Sequence, residues 1–295
     1  MRLLILGGSG MLGHRLWLAA RDHYHTFVTL RNSLPAAPWA SIFDPSRVIE
    51  GVDADAVDEL DGVLERIRPD AVVNAIGVIK QRPEAQDPVA SISINALFPH
   101  RLARLCSAQG VRLIHVSTDC VFSGTQGGYC ENDIPDARDL YGLSKLLGEV
   151  SSPGAVTLRT SMIGRELAGC RSLVEWFIAQ RGGRIQGYRR AIFSGLTTHE
   201  LARTILTVAE QHPDLEGLWH VAAPPIDKDT LLRMLRDALS LPVEIDPSDD
   251  MVIDRSLDDR RFRQRTGIPS PSWDVMIDEL AAVSPWYEEV RWTAS

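Results

Sequence analysis

The sequence contains few of the features that mark metal sites, disulfide frameworks or membrane spans. Four cysteines occur among 295 residues, and none lies in a CxxC motif or beside a histidine at metal-binding spacing. We therefore expect reduced thiols and no metal site. No segment approaches the roughly 20 consecutive apolar residues that a helical membrane span requires.

Basic residues are also outnumbered by acidic residues, 31 to 39. The formal net charge is −8 and the isoelectric point is about 5.5, so the composition offers no basic surface for nucleic acid or an anionic membrane. The apolar stretch MRLLIL is interrupted by GGSG, which argues against a signal peptide. These features predict a cytoplasmic protein with no nucleic-acid partner and no membrane partner.

What the chain does contain is a regular alternation of apolar strands and amphipathic helices. Strand candidates lie at 2–6, 25–30, 70–77, 111–118 and 155–160, with helical periodicity between them. This pattern predicts an α/β fold with a Rossmann-type, doubly wound parallel sheet. Residues 1–160 are expected to form the dinucleotide-binding domain. Residues 161–295 are expected to form a smaller substrate-binding portion over the carboxyl edge of the sheet, with a strand or helix returning to it.

A glycine-rich turn follows the first strand candidate. The segment LLILGGSGMLGHRL places glycines at 7, 8, 10 and 13 between a strand and a helix. Glycine allows the tight turn, lets the backbone approach a pyrophosphate, and lets the helix pack closely at Gly13. The helix N-terminus then directs its N–H groups at the phosphates. The context predicts a dinucleotide site.

The end of the second strand candidate favours one form of the cofactor. An acidic residue there accepts hydrogen bonds from the ribose of NAD, whereas arginine accommodates the 2′-phosphate of NADP. This chain has Arg31 followed by Asn32, and a guanidinium can bind a phosphate through two N–H groups. We therefore expect NADP(H) in preference to NAD(H), with an exposed loop arginine as the alternative.

A potential reaction centre follows the strand candidate 111–118. Ser117 and Thr118 end this strand at the carboxyl edge, where open α/β sheets bind ligands. Tyr141 and Lys145 lie four residues apart on a predicted helix, so they share one face. A nearby ammonium favours the phenolate and lowers the pKa of a tyrosine. Thr118 can donate a hydrogen bond to the carbonyl oxygen that Tyr141 protonates. The set suits carbonyl reduction by a nicotinamide.

Five motifs occur in a telling order: GGSGMLG, NAIG, STDCVFSG, YGLSK and LRTS. Together they resemble the extended short-chain dehydrogenase/reductases, and within them the group of dTDP-4-dehydrorhamnose reductase. The resemblance extends over nearly the whole chain. It implies an oxidoreductase that uses NADPH to reduce the 4-keto group of a nucleotide-linked 6-deoxyhexose, in deoxysugar and polysaccharide biosynthesis. It also admits a homodimer.

Carried over residue by residue, the resemblance assigns roles to individual positions. Thr118, Tyr141 and Lys145 match the catalytic residues, with Tyr141 as proton donor and Lys145 lowering its pKa and holding the nicotinamide ribose. The resemblance assigns to the cofactor Gly7, Gly10, Met11, Leu12, Asp53, Ala54, Ala75, Ile76, Gly77, Tyr141 and Lys145, and the motifs described above add Gly13, Arg31, Asn32 and Ser117. On the substrate side the resemblance assigns Thr118, Asp119 and Met162, whereas Arg189 and Arg190 are expected there from their charge.

Two departures from the family pattern affect the sugar side of the site. Cys120 stands where the family usually has tyrosine, and Met162 stands where it typically has a tryptophan against the sugar ring. A flexible thioether in place of a flat aromatic ring changes how a pyranose is held. Arg189 and Arg190 suit a nucleotide diphosphate, although an exposed charge cluster or a subunit contact explains them equally well.

Two other functions remain open from the sequence. Members of the same family with the same three residues act as sugar-nucleotide epimerases, in which the cofactor is oxidised and regenerated. Other relatives serve as NADP-binding regulatory subunits of a partner enzyme. Thr118, Tyr141 and Lys145 argue for chemistry over a purely binding role, because a binding subunit has no need of a tuned tyrosine.

Overall fold

The strands and helices are taken from a computed structural model that describes residues 1–35, 37–55, 57, 59–80 and 86–291. The strands are β1 (Arg2–Leu6), β2 (His25–Thr29), β3 (Val48–Ile49), β4 (Ala71–Asn74), β5 (Arg112–Thr118), β6 (Ala155–Thr160), β7 (Met162–Ile163), β8 (Arg184–Tyr188), β9 (Ala191–Phe193), β10 (Leu196–Thr197), β11 (Gly217–His220), β12 (Ile226–Asp227), β13 (Glu244–Ser248) and β14 (Ile253–Asp254). The helices are α1 (Met11–Ala20), α2 (Glu59–Ile67), α3 (Pro88–Ser91), α4 (Phe98–Ala108), α5 (Leu140–Leu147), α6 (Leu173–Ala179), α7 (Thr198–Gln211), α8 (Lys228–Ala238), α9 (Arg260–Thr266) and α10 (Trp273–Val290).

The central sheet has seven strands in the order β11-β6-β5-β4-β1-β2-β3. Every neighbouring pair in it is parallel. The strand order reverses between β1 and β4, which is the switch point where a doubly wound sheet binds a dinucleotide at its carboxyl edge. The predicted Rossmann-type α/β fold is confirmed.

The strands are buried on both faces, as a parallel sheet covered by helices requires. Along β1, Leu3 and Ile5 join one hydrophobic cluster whereas Leu4 and Leu6 join a second one. The first cluster includes side chains from α1, α7 and α10, and the second includes side chains from α2 and α4. Alternate side chains of one strand thus bury against two different helical layers.

The chain between β4 and β5 forms three successive helical segments. They are α3, a π-helical stretch at Ile92–Leu97, and α4. Pro99 lies in the first turn of α4, where its missing N–H leaves no hydrogen bond unmade. The π-helical stretch carries a buried asparagine, Asn95, which contributes to the site described below.

The chain after residue 160 supplies the last strand of the central sheet and three small sheets. Strand β11 pairs with β6. The other sheets are β10-β7, β12-β9-β14 and β13-β8. Helix α10 returns to the glycine turn, because the hydroxyl of Tyr287 lies 2.6 Å from Nε2 of His14 on α1. Among the described residues, no helix is both long and apolar enough to cross a bilayer.

Candidate active site

The glycine turn between β1 and α1 forms a cradle of bare backbone. Gly7 has φ of +86°, and a Cβ on Gly13 would lie 2.1 Å from the carbonyl oxygen of Gly7. Helix α1 begins at Met11 with no side chain capping its N–H groups. Leu12 is buried in the core, so its contribution to a ligand is its backbone N–H. Exposed backbone and an uncapped helix N-terminus fit a dinucleotide pyrophosphate.

The loops after β2 and β3 bring two predicted cofactor residues together. Nε of Arg31 lies 3.9 Å from a carboxylate oxygen of Asp53, and both side chains are solvent-accessible. A carboxylate from the loop after β3 therefore lies beside Arg31 at the end of β2. Asn32 is exposed, and Ala54 is buried in the second hydrophobic cluster, which leaves only its backbone for a ligand.

The segment after β4 lies directly against the glycine turn. A Cβ on Gly7 would lie 3.3 Å from the carbonyl of Ala75 and 3.1 Å from the side chain of Ile76. A Cβ on Gly77 would lie 4.0 Å from the ammonium nitrogen of Lys145. The predicted cofactor segments thus run continuously from the glycine turn to the lysine of the YxxxK pair.

Asn95 holds this segment in place, although no sequence motif marks that residue. Its Oδ1 accepts a hydrogen bond from the backbone N–H of Val78 at 2.9 Å, and its Nδ2 donates to the carbonyl oxygen of Val78 at 3.1 Å. Nδ2 also lies 3.3 Å from Oγ of Ser144 on α5. Asn95 therefore ties the loop after β4 to the helix that carries Tyr141 and Lys145. An isolated asparagine in a helical pattern carries no sequence signal for such a role.

Thr118 and Ser117 end β5 on opposite faces of the sheet, as successive strand residues must. Oγ1 of Thr118 accepts a hydrogen bond from the N–H of Cys120 at 3.1 Å and donates to Asp119 at 3.2 Å. The hydroxyl of Ser117 instead donates to Glu149 at 2.8 Å. The side chain of Ser117 is thus engaged away from Thr118, and only its backbone is left for a cofactor.

Helix α5 positions Tyr141 and Lys145. Asp139 begins it by accepting a hydrogen bond from the N–H of Gly142 at 3.0 Å, and Lys80 pairs with Asp139 at 3.1 Å. A Cβ on Gly142 would lie 2.4 Å from the carbonyl oxygen of Cys120, so the helix approaches the Thr118 turn closely. Thr118, Tyr141 and Lys145 are thereby brought to one edge of the sheet.

The pKa of Tyr141 differs in direction from the sequence expectation. Burial raises its pKa, the neighbouring Cys120 and Asp119 raise it further, and the hydroxyl of Thr118 partly offsets this. Lys145 does not supply the predicted lowering, and its ammonium instead donates to the carbonyl oxygen of Val116 at 2.8 Å. The phenol therefore stays protonated at neutral pH, which is the state that a proton donor requires.

Lys145 is the other titratable group of the pair. Burial lowers the pKa of Lys145 to about 8, and the carboxylate of Glu149 partly offsets that effect. Glu149 is itself held by Arg159 of β6, with two hydrogen bonds of 2.6 and 2.7 Å. The buried ion pair with Arg159 thus holds in place the carboxylate that acts on Lys145.

The residues predicted on the substrate side are dispersed. Asp119 is buried next to Thr118, and its pKa is raised by burial. Met162 on β7 is half-buried and packs against the core. Arg189 and Arg190 form the exposed turn between β8 and β9, and the Nε of Arg189 already donates to Asp249 at 3.0 Å.

Two cations outside the sequence motifs act electrostatically on Asp119. Both Lys228 and Arg255 lower the pKa of Asp119. Burial lowers the pKa of Lys228 to about 8, and Asp119 is the strongest opposing influence. Neither cation belongs to a motif, and their distance from Asp119 along the chain left no local pattern to read.

Comparison with known proteins supplies a family. The model of the RmlD substrate binding domain matches residues 1–226. A dTDP-4-dehydrorhamnose reductase of Mycobacterium tuberculosis is 31% identical over 173 residues, covering 55% of this chain and 50% of that protein. The probable low-salt glycan biosynthesis reductase Agl14 of Haloferax volcanii is 31% identical over 169 residues, covering 55% and 54%. Methionine adenosyltransferase 2 subunit beta of Danio rerio is 30% identical over 207 residues, covering 65% and 61%. The chain spans about half the length of the first two relatives.

Solved structures agree on the fold. A hypothetical dTDP-4-dehydrorhamnose reductase from Sulfolobus tokodaii has a TM-score of 0.74 and 25% identity, covering 90% of this chain and 94% of that one. The dTDP-4-dehydrorhamnose reductase of Bacillus anthracis in complex with NADP has a TM-score of 0.77 and 20% identity, covering 95% and 98%. WbmG of Bordetella bronchiseptica in complex with NAD and UDP has a TM-score of 0.78 and 18% identity, covering 97% and 94%. The predicted resemblance is confirmed, and the chain belongs to the RmlD substrate binding domain family.

Proposed function

We propose that this protein is an oxidoreductase that uses NADPH to reduce the 4-keto group of a nucleotide-linked 6-deoxyhexose. The observation that carries the proposal is the convergence of Thr118, Tyr141 and Lys145 beside the glycine cradle. The relatives named as sugar-nucleotide reductases support the substrate class, and the Bacillus anthracis neighbour, bound to NADP, supports a nicotinamide cofactor.

The protonation state and the position of each residue indicate its role in the reaction. A reduced nicotinamide, when bound, supplies a hydride to the carbonyl carbon. Tyr141 donates its proton to the carbonyl oxygen, since burial keeps it protonated. Thr118 lies beside the phenol, and its hydroxyl turns from Asp119 to the substrate to stabilise the developing oxyanion by a hydrogen bond. Lys145, next to Gly77, holds the ribose of the nicotinamide.

The substrate side of the proposal rests on Asp119 and Met162. Asp119 is adjacent to Thr118 and is buried, so it can accept hydrogen bonds from sugar hydroxyls where water does not compete. Met162 takes the position at which the family typically carries an aromatic ring. We infer a sugar pocket that tolerates more than one pyranose orientation, because an unbranched thioether adapts its shape.

The direct test is NADPH oxidation with dTDP- and UDP-linked 4-keto-6-deoxyhexoses. Tyr141→Phe should lower kcat by at least about 100-fold, the usual contribution of a positioned general acid, whereas NADPH affinity should change by much less. Tyr24→Phe is the matched control, because its hydroxyl pairs with Glu210 on the surface. Full turnover by Tyr141→Phe contradicts the mechanism. Product formation without net NADPH consumption identifies an epimerase instead.

A regulatory role is a second candidate because one relative is a subunit of methionine adenosyltransferase. In that case the chain would bind NADP and a partner enzyme without turning over a sugar nucleotide. Stoichiometric capture of an enzyme partner, together with no reduction of the sugar-nucleotide panel, supports this candidate. Reductase activity that is lost in Tyr141→Phe excludes a purely binding role.

A further inference from the structure

Lysine is rare in this protein, and its positions are not scattered. The sequence has three lysines, Lys80, Lys145 and Lys228, among 31 lysine and arginine residues. Lys145 shares α5 with Tyr141, and Lys80 pairs with Asp139, which begins that helix. Lys228 comes from the other half of the chain, and its charge acts on Asp119 beside the catalytic threonine. All three are thus grouped around the candidate active site.

The three-stranded sheet β12-β9-β14 explains how Lys228 reaches this place together with Arg255. Asp227 at the end of β12 and Asp254 at the end of β14 both pair with Ile192, from opposite sides of β9. Because β12 is antiparallel and β14 is parallel to β9, Lys228 follows on one side of β9 towards Ala191, and Arg255 follows on the other side towards Phe193. The ammonium of Lys228 lies 4.1 Å from the ring centroid of Phe193, the last residue of β9.

On the other edge of β9, Arg255 is held by a backbone carbonyl oxygen and a cysteine sulfur. Its Nε donates to the carbonyl oxygen of Phe122 at 2.8 Å, and one terminal nitrogen lies 3.9 Å from Sγ of Cys120. A Cβ on Gly124 would lie 3.0 Å from the side chain of Arg255, so the arginine packs tightly on this loop. Its guanidinium is directed at the turn that follows Thr118.

The two cations are not neutralised by the described part of the protein. Within residues 1–35, 37–55, 57, 59–80 and 86–291, no carboxylate lies within 4.0 Å of either one, and Asp119 is the carboxylate that acts on both. Arg255 also acts on Asp139, which Lys80 already pairs at 3.1 Å. Three positive charges, those of Lys80, Lys228 and Arg255, thus face two carboxylates. An unpaired charge at a partly buried position is costly, and the excess of one positive charge suits an anionic ligand. Arg189, in contrast, is already paired with Asp249.

We propose that Lys228 and Arg255 bind the diphosphate of the sugar nucleotide and thereby orient its sugar towards Thr118 and Tyr141. This inference rests on the proposed function and names the group by which the site would hold its substrate. A diphosphate matches the pair in charge and in donors: arginine offers a planar fork of N–H groups, and lysine offers a compact point charge. It replaces the exposed Arg189 and Arg190 as the anchor for the nucleotide.

The test is calorimetric binding of UDP and dTDP to the full chain in the presence of NADP. Lys228→Met and Arg255→Met should each weaken binding of the nucleoside diphosphate by about tenfold or more, as expected for the loss of a charge-assisted hydrogen bond. Uridine and thymidine, which lack phosphate, should bind the variants and the unmodified protein equally. Arg236→Met is the matched control, because Arg236 lies on the same helix as Lys228 and pairs with Asp237.

Three results would overturn the inference: no binding of either diphosphate by the unmodified protein, unchanged affinity in both variants, or an equal loss of affinity for the nucleosides. Lys228→Arg, which keeps the charge, should retain affinity to within a few fold, so that a folding defect in Lys228→Met cannot imitate the result. Unchanged diphosphate affinity with an altered pH profile of kcat/KM would mean that the cations only keep Asp119 ionised. Binding that depends on both cations, in a protein with no reductase activity, would reject the proposed function and leave the anion site standing.

Discussion

The carboxylate of Glu149 and the guanidinium of Arg159 form a paired, buried contact behind the candidate active site. Two hydrogen bonds of 2.6 and 2.7 Å join them, and their side chains are 11% and 4% exposed. Glu149 follows α5 and Arg159 belongs to β6, so the pair fastens the helix that carries Tyr141 and Lys145 to the sheet. Glu149 also raises the pKa of Lys145 against the effect of burial. The same pair therefore affects both the stability of the fold and the titration of the candidate site.

Glu149→Gln should destabilise the fold and change the titration of the active site. Removing one charge of a buried pair leaves the other uncompensated, which costs about 3–5 kcal/mol, measurable by urea denaturation. The pKa of Lys145 should fall further, since burial then acts without the opposing carboxylate. An unchanged free energy of unfolding would show that the pair is dispensable. Introducing Arg159→Met into this variant should recover part of the loss.

Gly13→Ala should damage the cofactor cradle. The new methyl group would lie 2.1 Å from the carbonyl oxygen of Gly7, and such overpacking costs about 1–3 kcal/mol. NADPH affinity, measured by fluorescence titration, should fall by about tenfold or more. Gly62→Ala on α2 is the control, because a methyl group there meets nothing within 4 Å and should stabilise the helix by roughly 0.5–1 kcal/mol. If Gly13→Ala and Gly62→Ala changed NADPH affinity equally, the glycine turn would not be the cofactor site.

Arg31→Ala should alter the choice between the two nicotinamide cofactors. If Arg31 binds a 2′-phosphate through charge-assisted hydrogen bonds, the KM for NADPH should rise about tenfold or more, whereas the KM for NADH should stay constant. Arg66→Ala, an exposed arginine on α2, serves as the comparison. A parallel change in both KM values would indicate that Arg31 does not distinguish the cofactors.

The rate should fall on the alkaline side near pH 8. Burial lowers the pKa of Lys145 to about 8, so the ammonium is present below that pH and is lost above it. Tyr141 adds no loss in this range, because its pKa is raised. The pKa of Lys228 is also lowered to about 8, and the Lys228→Met variant separates the two: the decline in kcat/KM that persists there belongs to Lys145. A rate that stays constant to pH 10 would contradict this assignment.

Lys228→Met should not destabilise the protein at pH 7. Since the pKa of Lys228 falls from 10.5 in the unfolded chain to about 8 in the folded state, the charged form is disfavoured by folding, and this cost is present below pH 8. Methionine removes the cost, so the melting temperature at pH 7 should be equal or higher. The difference should shrink between pH 8 and pH 10.5, as the folded lysine loses its proton. A clear loss of stability at pH 7 would give Lys228 a structural role instead.

Local pattern was sufficient for several parts of this protein. The glycine turn, the strands and the shared helix face of Tyr141 and Lys145 were all predictable from short stretches of sequence. A strand repeats every two residues and a helix every 3.6, so neighbouring residues indicate which faces their side chains share. The same order of motifs carried the family resemblance.

Other features depended on residues that are distant along the chain. Asn95, Lys228 and Arg255 acquire their roles only when the π-helical stretch and the sheet β12-β9-β14 bring them to the edge of the main sheet. The direction of the pKa of Tyr141 was likewise decided by tertiary structure. A sequence shows which charges lie near in the chain, whereas burial, which raises this pKa most, exists only once the surrounding elements have packed and excluded water.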